Sequence, residues 1–402
     1  MIRAVELYPV AVWRVWLYAS AVFLGGGGLM LSGSAALIGF MLAPLLAGSA
    51  ARAVLARPLP LALFAASIVW TATSLLWSPY DRPDQALKLV LLTPFYCLTV
   101  FAAARLDDRT ARRRLFWVTA PFSLLAIFFL IEALFGAPIS LSFKTELEDY
   151  GDTPGEALAL AERTLARGMT GFVMIAGPAG VALFVHGGPG RRLAAGLLAA
   201  AGLAGGFAFG VEANLLALFA GLAAAGLGWR FAGRGLGAVC FAGAAAVLAA
   251  PLYMAALTGL ISPAMAETLP LTWHMRLEIW GYALEQIVAA PVFGHGLDAT
   301  RVLGEDVQLR GATFNTLPLH AHNAGLQIWL ETGLIGALGY AAALAALGRA
   351  CLHAAMSSGA AAGAAFCGAA FMMTVMVGSG VWQEWLHGCL AIGLAAALMI
   401  RR

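Results

Sequence analysis

The chain has 402 residues, of which 61% are hydrophobic and 11% charged, with a formal net charge of +3. A soluble domain carries about 25% charged residues, so this chain could not cover its own surface in water. That excludes a soluble domain of any size, implies an integral membrane protein, and gives no reason to expect a nucleic-acid partner.

A hydrocarbon core about 30 Å thick takes about 20 apolar residues in a helix. Runs of this kind recur from end to end and predict about twelve spans. They lie near 15–31, 33–51, 59–77, 86–104, 115–135, 169–186, 193–210, 213–229, 236–256, 322–347, 358–379 and 386–400, all within one transmembrane domain, 1–402. The first run lacks a small-residue cleavage site and is expected to remain as a span. The "SGS" of Ser32–Ser34 predicts a hairpin turn. Cys97, Cys240, Cys351, Cys367 and Cys389 lie in or beside spans without metal spacing, and read as small packing residues.

Basic residues set the orientation. With a cytoplasmic N-terminus, the inner segments hold 16 of the 24 basic residues (among them Arg52, Arg57, Arg105, Arg109, Arg112–Arg114, Arg191, Arg192, Arg401 and Arg402) against three acids, Glu6, Asp107 and Asp108. Both termini are expected in the cytoplasm. Two longer polar segments, 136–168 and 257–321, then fall outside as loops, each with a helical stretch (154–167 and 273–290). The chemistry is expected on that outer face.

In chain order, the first polar candidate is Lys88, at the outer end of its span. Next come Arg163 and Arg167 in "AERTLARGMTGF", four apart and so on one helix face. Arginine at an outer interface runs against the charge bias. It could be a simple anchor, but an anionic ligand supplies another reason, because the guanidinium fork binds phosphate oxygens in pairs. "WHMRLEIWGYALEQIVAAPVFGHGLDA", Trp273–Ala299, predicts an amphipathic helix carrying Arg276, Glu278 and Trp280. It ends at Pro291, before a tight turn at Gly294–Gly296. A surface helix with Arg276 snorkelling to water is the plain alternative.

"HAHNAGLQIWLETGLIG", His320–Gly336, follows. His322 stands at the mouth of a span. Asn323, Gln327 and Glu331, at i, i+4 and i+8, predict a polar stripe running about 12 Å down the helix. Such groups can be packing glue between helices, yet ionisable residues at this depth are candidates for function. His320 is expected on the loop side of the helix start, pointing elsewhere. Gly333 onward, "GLIGALG", is expected to let a neighbouring backbone approach. No phosphate-binding glycine loop, acid pair, metal-ligand set or nucleophile elbow is present, so no cofactor is expected. One histidine with several arginines suits transfer of a group away from a phosphate leaving group. The arginines would neutralise the departing pyrophosphate, and the histidine would take a proton from the attacking hydroxyl.

The spacing His322-Asn323-x9-Gly333-x2-Gly336 resembles the signature of O-antigen ligases. Arg276-x3-Trp280 with Pro291-x2-Gly294-x-Gly296 resembles the large outer loop of the wider ligase and polymerase superfamily. The resemblance implies an all-α fold like that of the GT-C glycosyltransferases, in the bacterial inner membrane, with the active site on the periplasmic side. It implies inverting, metal-independent transfer of a polysaccharide from undecaprenyl pyrophosphate to a sugar hydroxyl of lipid A–core, with membrane lipids around both substrates. His322 would be the base and Arg276 the loop arginine. Arg163, Arg167, Lys88, Asn323 and Gln327 would bind substrate. An O-antigen polymerase is the nearest alternative. A protein O-oligosaccharyltransferase fits less well, since the chain stops at Arg402 after its last span. A lipid or sugar transporter, with Glu132 and Glu331 relaying protons, is the rival from another class.

Overall fold

The computed structural model describes residues 2–26, 58–148, 150 and 153–400. The expected span at 33–51, the Ser32–Ser34 turn, Arg52, Arg57, Arg401 and Arg402 lie outside the described residues. Residues 27–31 of the first expected span also lie outside the described residues, and elsewhere each expected span overlaps helix. The helices are α1 (Ile2–Gly25), α2 (Pro58–Thr73, followed by a 3₁₀ turn, Ser74–Trp77), α3 (Asp84–Ala104), α4 (Asp108–Phe135), α5 (Pro138–Glu146), α6 (Pro154–His186), α7 (Pro189–Ala208), α8 (Glu212–Phe231), α9 (Gly233–Leu248), α10 (Ala250–Leu260), α11 (Pro263–Thr268), α12 (Leu271–Ala289), α13 (Thr300–Leu303), α14 (Ala324–Leu352), α15 (Ser358–Val377) and α16 (Glu384–Leu398). Among the described residues, six helical segments are long and apolar enough to cross a membrane, or seven if α9 and α10, bent by 69°, form one broken span. The protein is thus a multi-pass helical membrane protein, and this measure gives fewer crossings than the twelve runs.

Local chemistry explains several boundaries. Asp107 caps α4 by accepting the Thr110 N–H at 2.9 Å, and α4 ends where Gly136 turns left-handed at φ 74°. The buried carboxylate of Glu132 accepts the N–H groups of Ile139 (2.9 Å) and Ser140 (3.1 Å), which fixes the start of α5. The expected loop helix 154–167 and span 169–186 are one helix of 33 residues, about 50 Å long. Gly168 does not break it. A Cβ there would collide with the Leu24 carbonyl, so this glycine permits close packing of α6 on α1.

One large apolar core joins α1, α4, α6, α15 and α16. A second, smaller core lies under the long loop, where Ile279, Trp280, Ala283 and Ile287 of α12 meet Met254, Leu317, Ala321, Leu326 and Leu330. The loop holds more than the short helices expected: Asp306–Leu309 pairs antiparallel with Ala312–Asn315 around a tight turn, with Arg310 and Gly311 both at positive φ.

The helix after His322 departs from expectation in two ways. Asn323 is not its first stripe residue but its cap: it is extended, and its Oδ1 accepts the Leu326 N–H at 3.0 Å. And α14 is broken at Gly333, whose φ of 64° and ψ of −167° are not helical. Into this break the 291–296 segment docks backbone to backbone. The His295 and Gly296 N–H groups donate to the Leu330 and Glu331 carbonyls, each at 2.8 Å, and Leu334 N–H donates back to the Pro291 carbonyl at 2.9 Å. A Cβ on Gly333 would strike the Val292 carbonyl, and one on Gly294 would lie 2.5 Å from the Glu331 carbonyl carbon. The glycines of the two sequence motifs are required by each other.

Candidate active site

The segment 319–323 leaves the long loop and enters α14 through a backbone turn that puts His322 at φ 50°. Side-chain-bearing residues adopt this conformation infrequently, histidine more readily than most, and surrounding contacts can hold it. They do. The His322 Nδ1 lies 2.9 Å from the carbonyl of Gly378, at the C-terminal end of α15. A carbonyl only accepts, so Nδ1 carries the proton and the neutral ring presents a bare Nε2 lone pair. That nitrogen has no hydrogen-bond partner among the described residues.

His320 is differentiated in the opposite sense. Its Nδ1 accepts the His322 backbone N–H at 3.2 Å, which places the neutral ring's proton on Nε2. The two rings stand edge to face with centroids 4.3 Å apart. His320 therefore does not point elsewhere, as its position suggests. A residue in a turn is not confined to the loop side of the helix it precedes. Burial first, and the Arg276 charge second, push the His322 pKa down to about 4. Burial, then the charges of His322, Arg301 and Arg276, bring His320 to about 3. Both rings are neutral near pH 7.

Arg276 thus lies close enough to bear on both histidines. Its position follows from α12: Trp280, one turn on, is buried in the small core and anchors the helix. The guanidinium carbon sits 4.6 Å over the Trp273 ring, and one terminal nitrogen is buried with no hydrogen-bond partner. Burial lowers its pKa, against the opposing pull of Glu212. A half-buried guanidinium with an unpartnered N–H group is suited to an anion.

Arg163 and Arg167 are exposed on α6 and have no ion-pair partner among the described residues. Arg167 lies 19 residues before the end of α6, about 28 Å along the axis, near the far edge of a hydrocarbon layer. Its neighbours Ala166 and Thr170 bond to Asn214 (3.2 and 2.8 Å). The adjacent Ala213 packs on Gly378, whose carbonyl holds His322. The α6 arginines thus border the same region through α8.

Three other candidates are occupied by the protein itself. Lys88 is ion-paired with Glu384 (3.4 Å) and Asp84 (3.5 Å). Gln327 donates to Glu331 (3.1 Å) and accepts the Val381 N–H (3.0 Å). Asn323 caps α14, and its amide nitrogen reaches the Tyr253 hydroxyl at 3.5 Å. Glu331, fully buried, accepts from Trp382 Nε1 (2.5 Å), Thr300 Oγ1 (2.8 Å), the Asp298 N–H (3.0 Å) and Gln327 (3.1 Å). It ties the long loop to the turn between α15 and α16. That turn, "GSGVWQE" at Gly378–Glu384, is absent from the sequence reading, as is Asp298. The signal was a polar, glycine-flanked cluster between two apolar runs.

Residues 163–341 match the O-antigen ligase family. A stretch of 80 residues is 36% identical to a protein of Rickettsia conorii provisionally named a polysaccharide ligase, covering 19% of this chain and 19% of that protein. A similarly named protein of Rickettsia typhi is 35% identical over 80 residues, 19% of this chain and 20% of its own. One of Rickettsia bellii is 34% identical over 88 residues, 20% and 22% respectively. The matched stretch spans about a fifth of each of these relatives. No solved structure matches the chain. His322, Asn323 and Arg276 all lie inside the segment 163–341 that is similar to the O-antigen ligase family.

Proposed function

We propose that the protein is an inverting, metal-independent glycosyltransferase that moves a polysaccharide from undecaprenyl pyrophosphate to a sugar hydroxyl of lipid A–core, at the periplasmic face of the bacterial inner membrane. The observation that carries this reading is the fixed tautomer of His322, with Nδ1–H spent on Gly378 and Nε2 open, beside the unpartnered Arg276. Nε2 takes the proton of the acceptor hydroxyl as its oxygen attacks the anomeric carbon of the first donor sugar. The anomeric C–O bond to pyrophosphate breaks, and the leaving group departs with the bonding electrons toward Arg276, Arg163 and Arg167. One in-line displacement inverts the anomer. A positioned base contributes about 10²–10⁴-fold.

The same geometry serves a polymerase, which differs only in presenting another polymer-linked sugar as acceptor. A proton-relaying transporter is less well supported, since Glu132 and Glu331 are each engaged by fixed donors. The test is transfer by purified protein in detergent, from a polyprenyl pyrophosphate glycan to lipid A–core. Product formed without a sealed membrane is the expected result. Product only with a lipid-linked glycan as acceptor identifies a polymerase, and none with either acceptor overturns the reading.

A further inference from the structure

The turn that carries His322 is anchored on both sides of that residue. The Leu319 carbonyl accepts the Thr300 hydroxyl at 3.0 Å, Ala321 is fully buried in the small core, and Asn323 caps α14. His322 itself stands at φ 50°, where a side chain costs energy unless contacts hold it. Its backbone N–H donates to a side chain two residues back, His320 Nδ1, at 3.2 Å. The closure resembles an Asx turn, in which an asparagine or aspartate side chain accepts the backbone N–H two residues on.

The His320 side chain is placed by two further contacts. Its ring stands edge to face against the His322 ring. It is also seated on Gly380, where a Cβ would lie only 3.1–3.2 Å from three of its atoms. Gly380 is not at positive φ, so its missing side chain serves this contact rather than the backbone. The same turn carries Gly378, whose carbonyl accepts from His322 Nδ1 at 2.9 Å. His320 therefore touches both the backbone that aims the His322 imidazole and the turn that holds its acceptor. It is not itself equipped as a base: with Nδ1 accepting, its neutral ring carries the proton on Nε2 and has no free lone pair.

We propose that His320 is a positioning residue for the reaction. Through Nδ1 it holds His322 in the left-handed backbone conformation, and through its ring it sets the 378–380 turn, so that His322 Nδ1 meets the Gly378 carbonyl. The inference rests on the transferase reading for its kinetic test and deepens it. Without His320, the backbone at 322 relaxes toward negative φ and the Cα–Cβ direction turns. The bond to Gly378 is then lost, and the imidazole reverts toward the Nε2-protonated form that histidine favours in water. That form has no lone pair on the nitrogen that faces substrate.

Three variants test it, each with a thermal melt to confirm folding. His320→Ala removes the acceptor, and kcat is expected to fall roughly ten- to a hundred-fold with both substrate KM values nearly unchanged. His320→Asn keeps an acceptor for the N–H two residues on and should recover most of that loss. Gly380→Ala should slow the wild type but slow His320→Ala little further, because most of what the new methyl pushes is gone. A readout that needs no transfer is NMR of protein labelled with ¹⁵N-histidine, the His322 signal being assigned by its loss in His322→Gln. Wild type and His320→Asn should show Nδ1 protonated at residue 322, and His320→Ala a shift toward Nε2. Equal losses in the alanine and asparagine variants, a loss carried by KM, or an unchanged tautomer in His320→Ala overturns the positioning role. The expected tautomers in a protein that transfers nothing overturn the transferase reading and leave that role standing.

Discussion

Glu331 and His322 lie nine residues apart in one segment, and the fold treats them in opposite ways. Four donors converge on Glu331 and saturate both oxygens. His322 receives one fixed contact, on Nδ1, and its other nitrogen stays open. Both are polar groups near the start of an apolar helix, and sequence spacing alone ranks them similarly. The difference teaches that burial of a polar residue in a membrane protein says little until its hydrogen bonds are counted. A saturated group joins elements together, and a group with one deliberate vacancy can act on something else.

The comparison breaks most sharply at His322. His322→Ala is expected to lower transfer by about 10²–10⁴-fold with little change in melting temperature. An active alanine variant, assayed by lipid A–core modification with expression checked by blotting, would show that the open nitrogen is idle. Arg276→Lys keeps the charge but loses the planar fork, and a fall of roughly ten- to a hundred-fold in rate is expected, matching about 1.5–3 kcal/mol for a charge-assisted contact. Near-normal rates would reduce Arg276 to an interface anchor.

Glu331→Gln sharpens the other half. Its amide presents an N–H group where the carboxylate accepted, leaving a buried donor such as Trp382 Nε1 unsatisfied at a cost of about 1–3 kcal/mol. The expected outcome is a lower melting temperature with the rate per folded molecule nearly kept. A stable, inactive variant would move Glu331 from the joint to the chemistry.

The smallest effect is in pH. A base works deprotonated, so the rate should hold above the His322 pKa and fall only as pH drops through about 4. Arg276→Gln removes one cause of the depression but not the larger one, burial. The acid limb should therefore move up only part of the way to the ordinary 6.5. A wild-type limb already near 6.5 would mean that the imidazole is solvated during turnover.

Much of the scaffold was legible in the sequence. Apolar runs fall in helices, and the amphipathic stretch expected at 273–290 is the helix Leu271–Ala289. So was the close backbone approach at Gly333, although not its partner. What escaped depends on contacts distant in sequence. Nothing local says that Gly168 continues a helix while Gly333 interrupts one; the Leu24 and Val292 carbonyls decide it. Arg310-Gly311 is an uncommon pair for a hairpin tip, so the small strands gave a weak signal. His320 and Asp298 escaped because a turn residue's direction is set by what packs around it, not by periodicity.

The joint between Pro291–Gly296 and Leu330–Ile335 has an order in time. The loop precedes in the chain the helix it docks into, so it leaves the ribosome first. Without it, the Leu330 and Glu331 carbonyls would lose the N–H groups of His295 and Gly296, and the regular helix donors Leu334 and Ile335, now spent on Pro291 and Val292, would take their place. A straight α14 would be the default in that circumstance, carrying His322 away from the Gly378 carbonyl that fixes its proton. The contact of His322 with Gly378 thus depends on the long loop being in place, and a chain inserted with that loop misplaced would keep its apolar helices and lose this contact.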